Sequence, residues 1–343
     1  MSSDIRVAII GAGYWGSNLI RTFLGAEKYL LHTVCDVRSA LLHEVKKRHP
    51  QVSVTTSLED VLSDTMIDSV VVATPPASHF SIAHQSLLAG KHVWVEKPLA
   101  LRYADGQQLV TTAQRLGRSL FVDETFLYDP LVEQVRLRLL DGSVGKPHHI
   151  SLERTGMGRI RRDSNVWWNS APHDVSMLRF ILNTRVRRIA ATGHAFVQSG
   201  LEDVVWASLQ LDNGVSAHIY LHWLVPEKKA SLMLVGEQGM IRYEGRFKQR
   251  ALTRYAYRLG SPVAAHETYG NVLPIEQCDI IEEIVGDATE PLAHACAAFR
   301  DTIVNETRAP SSGEQSLQTL AVLEAGADSL ARDGAWVDVR HQG

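Results

Sequence analysis

The sequence predicts an α/β protein: a doubly wound parallel sheet at the front, then an α+β domain built on a large, mostly antiparallel open sheet. Three observations carry this. Uninterrupted apolar runs alternate with helical stretches up to about residue 125, as in a parallel sheet covered on both faces. The run Ile5–Ile10 leads directly into Gly11-Ala12-Gly13-Tyr14-Trp15-Gly16. Past residue 200, Asp212-Asn213-Gly214 separates two partly alternating runs, a strong hairpin signal.

Taken in order, residues 5–10 form a strand, 15–24 a helix and 31–37 a second strand. Residues 68–73 and 92–95 are further strands. Between them 80–89 has helical spacing and stops at Gly90, a residue suited to the position just past a helix end. In the second part, 204–211 and 215–225 flank the hairpin turn, and 230–235 and 239–243 follow as strands. The region near 260–290 reads as loop. Two helices, about 292–306 and 314–331, then precede a last short strand, 336–339. The division falls near 125, giving a nucleotide-binding domain over 1–125 and a substrate-binding and oligomerisation domain over 126–343. The terminal helices and strand are available to pack back on the first domain.

A chain of 343 residues is too long for one ordinary core. Lys and Arg total 35 against 38 Asp and Glu, so nothing in the charge points to nucleic acid or to an anionic membrane. No segment has the ~20 apolar residues of a membrane helix, and Gly11 ends residues 7–10 too early for a signal sequence. The expected location is cytoplasmic. Cys35, Cys278 and Cys296 cannot build a disulfide framework and lack CxxC spacing; they read as buried thiols of a reducing compartment. No metal site is expected, because His32 with Cys35, or His43 with His49, lacks a second pair at ligand spacing.

The glycine turn carries the first chemistry. Gly11 permits the tight turn, Gly13 lets backbone approach a pyrophosphate, and Gly16 lets the helix opened by Tyr14 and Trp15 pack closely. The helix start supplies N–H groups to phosphate. Asp36, 20 residues after Gly16, is placed to accept hydrogen bonds from an adenosine ribose. A carboxylate there repels a 2′-phosphate and favours NAD; Arg38 reads either as a residue that softens that preference and leaves NADP possible or, at least equally well, as an ordinary solvated arginine. Thr74, Pro75 and His79 form a second cofactor edge at the end of a parallel strand. For His79, a direct cofactor contact and a plain helix-start role are balanced. Glu96 and Lys97, within Gly90-Lys91-His92-Val93-Trp94-Val95-Glu96-Lys97-Pro98, end another strand, where a lysine can hold a substrate hydroxyl and assist its proton transfer.

With these segments the chain resembles the Gfo/Idh/MocA family of sugar and cyclitol oxidoreductases. The matching stretches are 7–16, 73–80, 89–99, Thr-Phe-Leu-Tyr at 125–128, Ala-Pro-His-Asp at 171–174 and Leu-Glu-Ala at 323–325. The resemblance implies a Rossmann first domain, Lys97 in the catalytic set and Glu96 near the cofactor. It also implies a proton-transferring histidine at the start of the second domain's first helix, matching His173. Ser170 as N-cap and Pro172 in the first turn would set His173 at the positive end of that helix. One position departs from the pattern: Asn169 stands where the family usually has Asp, and Asn cannot carry a proton.

In the family the stretch before this helix borders the substrate pocket. Arg154, Arg159, Arg161 and Arg162 there suit phosphate or carboxylate, though a solvated basic loop reads equally well. Trp168, Asn169, His173 and Tyr128 are the other pocket candidates, with packing the plain alternative for Tyr128. The implied activity is NAD-dependent hydride transfer at a secondary alcohol or ketone of a sugar, sugar phosphate, nucleotide sugar or cyclitol. The alternatives are NAD-dependent glycoside hydrolysis, imine or enone reduction, or a non-catalytic dinucleotide sensor. Ile219, Leu221 and Trp223 alternate with His218, Tyr220 and His222. The second, aromatic face resembles an interface, and relatives pair through this sheet, so a homodimer or homotetramer is expected.

Overall fold

Two sheets organise the chain. The computed structural model describes residues 4–158, 160–246, 249–259, 275–286 and 290–340. It divides into two compact units, one of Met1–Tyr128 with Glu290–Glu324 and one of Asp129–Thr289 with Ala325–Gly343.

The first unit holds β1 (Ile5–Ile10), α1 (Tyr14–Gly25), β2 (Tyr29–Cys35), α2 (Ser39–Arg48), β3 (Ser53–Thr55), α3 (Leu58–Ser63), β4 (Ser69–Val72), α4 (His79–Leu88), β5 (His92–Val95), α5 (Tyr103–Leu116) and β6 (Leu120–Val122). All six strands run parallel in the order β3-β2-β1-β4-β5-β6. The order reverses at β1, whose Ile10 pairs with Cys35 on one side and Val72 on the other. Ligands of such sheets bind beyond the carboxyl ends of the strands at this reversal. β4 is buried at every residue, which is why it reads as an unbroken apolar run rather than an alternating one.

Trp94 of β5 anchors the core of this unit. Its ring meets Phe23, Phe121 and Phe299 at centroid distances of 5.6, 4.5 and 5.5 Å. Truncating so buried an aromatic costs ~3–5 kcal/mol. Phe299 comes from a helix after residue 290, Pro291–Val304, whose Cys296 carbonyl also accepts the Tyr29 hydroxyl at 2.9 Å.

The second unit begins with α6 (Pro130–Leu140), β7 (Pro147–Thr155), α7 (Val166–Leu182), β8 (Val186–His194), β9 (Val204–Leu211), β10 (Ser216–His222), β11 (Lys229–Gly236), β12 (Gly239–Arg246), β13 (Gln249–Leu259) and β14 (Ile275–Val285). In chain order the first unit's Pro291–Val304 is α8, and α9 (Gly313–Leu330) and β15 (Val337–Asp338) follow. The sheet order is β14-β13-β12-β11-β7-β10-β9-β8-β15. Only β7 with β10 is parallel; every other pair is antiparallel. One face is buried, with Ile150, Leu152, Ile219, Leu221, Leu232 and Leu234 all under 3% exposed, and α6 and α7 pack on it. The other face of β10 carries His218, Tyr220 and His222.

Two expectations change here. Part of the region read as loop, residues 275–285, is the marginal strand β14. Its charged residues break the alternation, and they work as edge residues: Glu282 takes a two-pronged bond from Arg138 at 2.8 and 2.6 Å. Residues 260–274 and 287–289 lie outside the described residues. Cys278, expected among buried thiols, is exposed on this strand, whereas Cys35 and Cys296 are buried. No helix among the described residues is long and apolar enough to cross a membrane.

Candidate active site

The turn after β1 is shaped for something without side chains. Gly11 has φ +103°, and a Cβ there would lie 2.5 Å from the Ala73 carbonyl oxygen. A Cβ on Gly16 would lie 2.0 Å from the Gly11 carbonyl oxygen, so Gly16 lets the turn close on itself. Around Gly13 there is room: a Cβ would meet only the Arg38 guanidinium, at 3.5 Å. α1 starts there with no side-chain cap and no acid in its first turn, which leaves N–H groups for an anion. Tyr14 and Trp15 are exposed in that turn.

Asp36 is buried just past β2. It accepts the Ala12 amide at 2.8 Å and the Arg38 amide at 2.9 Å, and Arg38 adds Nε and Nη2, both at 3.0 Å. Burial pushes the carboxyl upward, but these bonds outweigh it and hold Asp36 below its usual range. The turn, the helix start and this acid fit a dinucleotide.

Past β4, Ser78 Oγ lies 2.8 Å from both Thr74 Oγ1 and the Pro75 carbonyl. His79 is 1% exposed, and its ring nitrogens face the Pro98 carbonyl at 2.8 Å and the Thr74 carbonyl at 2.9 Å. The ring therefore ties the end of β4 to the peptide after Lys97, facing protein carbonyls rather than open space. Lys97 is half-buried just beyond β5. Beside it Glu96 is 8% exposed. Burial, then the charge and hydrogen bond of Asp123, push Glu96 well above the usual carboxylate range against the opposing pull of Lys97 and Trp15. Asp123 and Glu124, just past β6 and both buried, are acids the sequence reading passed over. The available signal was an acid ending an apolar strand, the same one that marked Glu96.

Tyr128 commits its hydroxyl to Ser311 at 2.7 Å and stacks on Phe121 at 5.7 Å, a packing arrangement within the first unit.

In the second unit, α7 corrects the expected helix start. Its N-cap is Asn165, whose Oδ1 accepts the Trp168 amide at 3.0 Å, and Pro172 lies inside the helix. His173 therefore sits in the third turn, beyond the reach of the end charge, which fades within the first turn. Asn169 and His173, four apart on one helix, share a face; Trp168 and both of them are half-buried. Pro172 removes the amide donor that would meet the Trp168 carbonyl. Arg154 forks onto the buried Asp174 at 3.1 and 2.9 Å, and Arg161 onto Asp163 at 2.7 Å twice. Both guanidiniums thus have carboxylate partners within this unit. Arg159 lies outside the described residues.

The fold and the glycine turn define an NAD-dependent oxidoreductase built on a Rossmann domain. Residues 5–124 match the family model described as "Oxidoreductase family, NAD-binding Rossmann fold", and residues 132–242 match "GFO/IDH/MocA C-terminal domain". Together these spans take in more than half of the sequence, and the chain belongs to the Gfo/Idh/MocA family. It is 24% identical over 198 residues to the myo-inositol 2-dehydrogenase of Thermotoga maritima, an alignment covering 56% of this chain and 59% of that enzyme. Among solved structures it resembles GenD2 from gentamicin A biosynthesis in complex with NAD, with TM-score 0.83, 21% identity, and 99% and 98% of the two chains covered. It also resembles the WlbA dehydrogenase of Bordetella pertussis in complex with NADH and UDP-GlcNAcA, with TM-score 0.79, 22% identity, and 99% and 100% covered.

Proposed function

We propose that the chain oxidises a secondary alcohol of a carbohydrate or cyclitol, or reduces the corresponding ketone, with NAD as hydride partner. The observation that carries this reading is Glu96-Lys97 at the carboxyl end of β5, in the same sheet as the glycine turn. The bound nicotinamide supplies hydride acceptance at its C4 carbon. Lys97 holds the substrate hydroxyl and steadies its developing negative charge. His173 takes or returns the hydroxyl proton, and Asn169, one turn before it, orients hydrogen bonds without carrying a proton. Thr74, Pro75 and the start of α1 shape the cofactor edge, and Trp168 is the aromatic candidate for a sugar face. Arg154 and Asp174 brace the strand and helix that present His173.

The relatives support a carbohydrate-like substrate: one is named for myo-inositol and one was solved with NADH and UDP-GlcNAcA, while GenD2 from gentamicin A biosynthesis was solved with NAD. The test is NADH formation by purified protein against nucleotide sugars, sugar phosphates and inositols. Net NADH from one of these classes is expected. Substrate turnover without net NADH would instead indicate glycoside hydrolysis through transient oxidation. The protein is further proposed to be cytoplasmic and to assemble as a closed homo-oligomer through the face bearing His218, Tyr220 and His222. On that face Trp206 stacks on Tyr220 at 5.5 Å and His149 meets His218 at 5.0 Å, an aromatic surface more typical of an interface than of solvent.

A further inference from the structure

Beyond β5 and β6 the first unit places two carboxyl groups against each other where water barely reaches. Glu96 is 8% exposed and Asp123 1%; they directly follow the paired residues Val95 and Val122, and the Asp123 amide donates to the Val95 carbonyl at 2.8 Å. Burial, and then the neighbouring Asp123, hold the Glu96 carboxyl well above the usual carboxylate range, so Glu96 is the member of the pair that keeps a proton. Asp123 is held in place by Thr125 Oγ1, which donates to Oδ1 at 2.6 Å, and by the Trp15 indole, which donates to Oδ2 at 3.2 Å. Glu96 Oε1 is buried without a hydrogen-bond partner among the described residues. A buried carboxyl oxygen left in that state is costly unless something else meets it.

The location says what that is. The pyrophosphate belongs at the turn after β1, and the adenosine ribose lies toward Asp36 past β2. The other half of the dinucleotide must then extend across the ends of β4, β5 and β6. Trp15, in the first turn of α1, bonds directly to Asp123, so the phosphate-binding helix and the acid pair are physically joined. The oxidised nicotinamide ring is a cation and the reduced ring is neutral. A buried anion beside it therefore distinguishes the two forms, because charges interact far more strongly away from water.

We infer that Glu96, buried beside Asp123, acts as a proton-linked discriminator of cofactor oxidation state, holding a proton when the ring is absent or reduced and releasing it to solvent when the oxidised ring binds. The other titratable groups around the pair are Lys97 beside Glu96, Glu124 beside Asp123, and Tyr128 and Cys296 on the facing elements. Burial pushes Tyr128 and Cys296 upward, so both are neutral at working pH. Lys97 already offers the pair one positive charge, and the cationic ring adds a second. Release of the proton then gives that ring a counter-charge, and the reduced ring gains nothing from it. The inference rests on the NAD reading of the fold.

The test is calorimetric titration of NAD+ and NADH, separately, in two buffers of different ionisation enthalpy at pH 6 to 8, which counts protons released on binding. NAD+ is expected to release up to one proton and to bind up to tenfold more weakly per unit fall in pH while the pair holds its proton; NADH should show much less of both. Glu96→Gln and Asp123→Asn, each checked for an unchanged melting temperature, should abolish the difference while still binding NADH. Equal proton release with the two cofactors in the unaltered protein overturns the inference without recourse to either variant. So does release that persists in both variants, which would assign the proton to another group. Failure of either cofactor to bind at any pH would remove the NAD reading as well.

Discussion

Arg38 grips Asp36 along the whole edge of its guanidinium, through Nε and Nη2 at 3.0 Å each. With the amides of Ala12 and Arg38 also bound, the four acceptor directions of this carboxylate are taken. A ribose can reach it only by displacing the arginine, which is 61% exposed. The carboxylate it would leave is only 4% exposed, so the ribose hydroxyls must take over the hydrogen bonds that the guanidinium gives up. NAD(H) is expected to bind more tightly than NADP(H). Asp36→Ala should narrow the gap by ~1 kcal/mol or more, and Arg38→Ala should widen it by removing the cation that would meet a 2′-phosphate. Calorimetry giving an equal or tighter NADP(H) constant for the unaltered protein contradicts this.

Lys97→Ala and His173→Ala should each lower kcat by ~10²–10⁴-fold with dinucleotide affinity nearly unchanged. Steady-state rates, paired with direct binding of NADH, separate the two effects. Normal turnover in either variant removes that residue from the mechanism.

Asn169→Asp is a sharper probe, since it places a carboxylate one helical turn from His173. The pH profile of kcat should shift, with KM altered less. If neither changes, the position is peripheral to proton transfer.

The parallel sheet was legible because its central strands β1, β4 and β5 are almost wholly buried, so a stretch such as Ser69–Val72 reads as an unbroken run. The start of α7 was not. Ser170 with Pro172 and Asn165 with Val166 are both chemically sound helix openings, and only the burial of Val166 and Trp167 decides between them. Arginine partners were equally out of sight: Asp174 lies 20 residues from Arg154 in sequence, a pairing that exists only once β7 and α7 pack. Asp123 was visible in principle, as an acid ending the apolar run 120–122, but gains its meaning only beside Glu96.

His92 supplies a pH dependence of stability. Burial, then the charge of Arg118, lower its pKa to about 4, while the unfolded chain titrates near the ordinary ~6.5. Between these values the unfolded state binds the extra proton. Stability therefore falls as pH drops through this window, by up to ~3 kcal/mol at its end. Melting temperature followed from pH 7.5 to 4.5 should decline, and His92→Asn should flatten the decline. An equally steep loss in the variant assigns it elsewhere.

Light scattering at micromolar concentration should give a multiple of the 38.0 kDa chain. Trp206→Glu, in the middle of the exposed aromatic face, should shift the mass toward the monomer. A mass near 38 kDa for the unaltered protein removes the proposed assembly.

The first unit closes only when Phe299 and Cys296 reach Trp94, Phe121 and Tyr29. Those partners lie far apart in the order of synthesis. At ~5–20 residues per second, the nascent sheet waits on the order of ten seconds after Phe121 is made before its covering helix exists. Throughout that interval one aromatic flank of the nucleotide-binding half is bare. Slower translation of the intervening segment would lengthen that exposure.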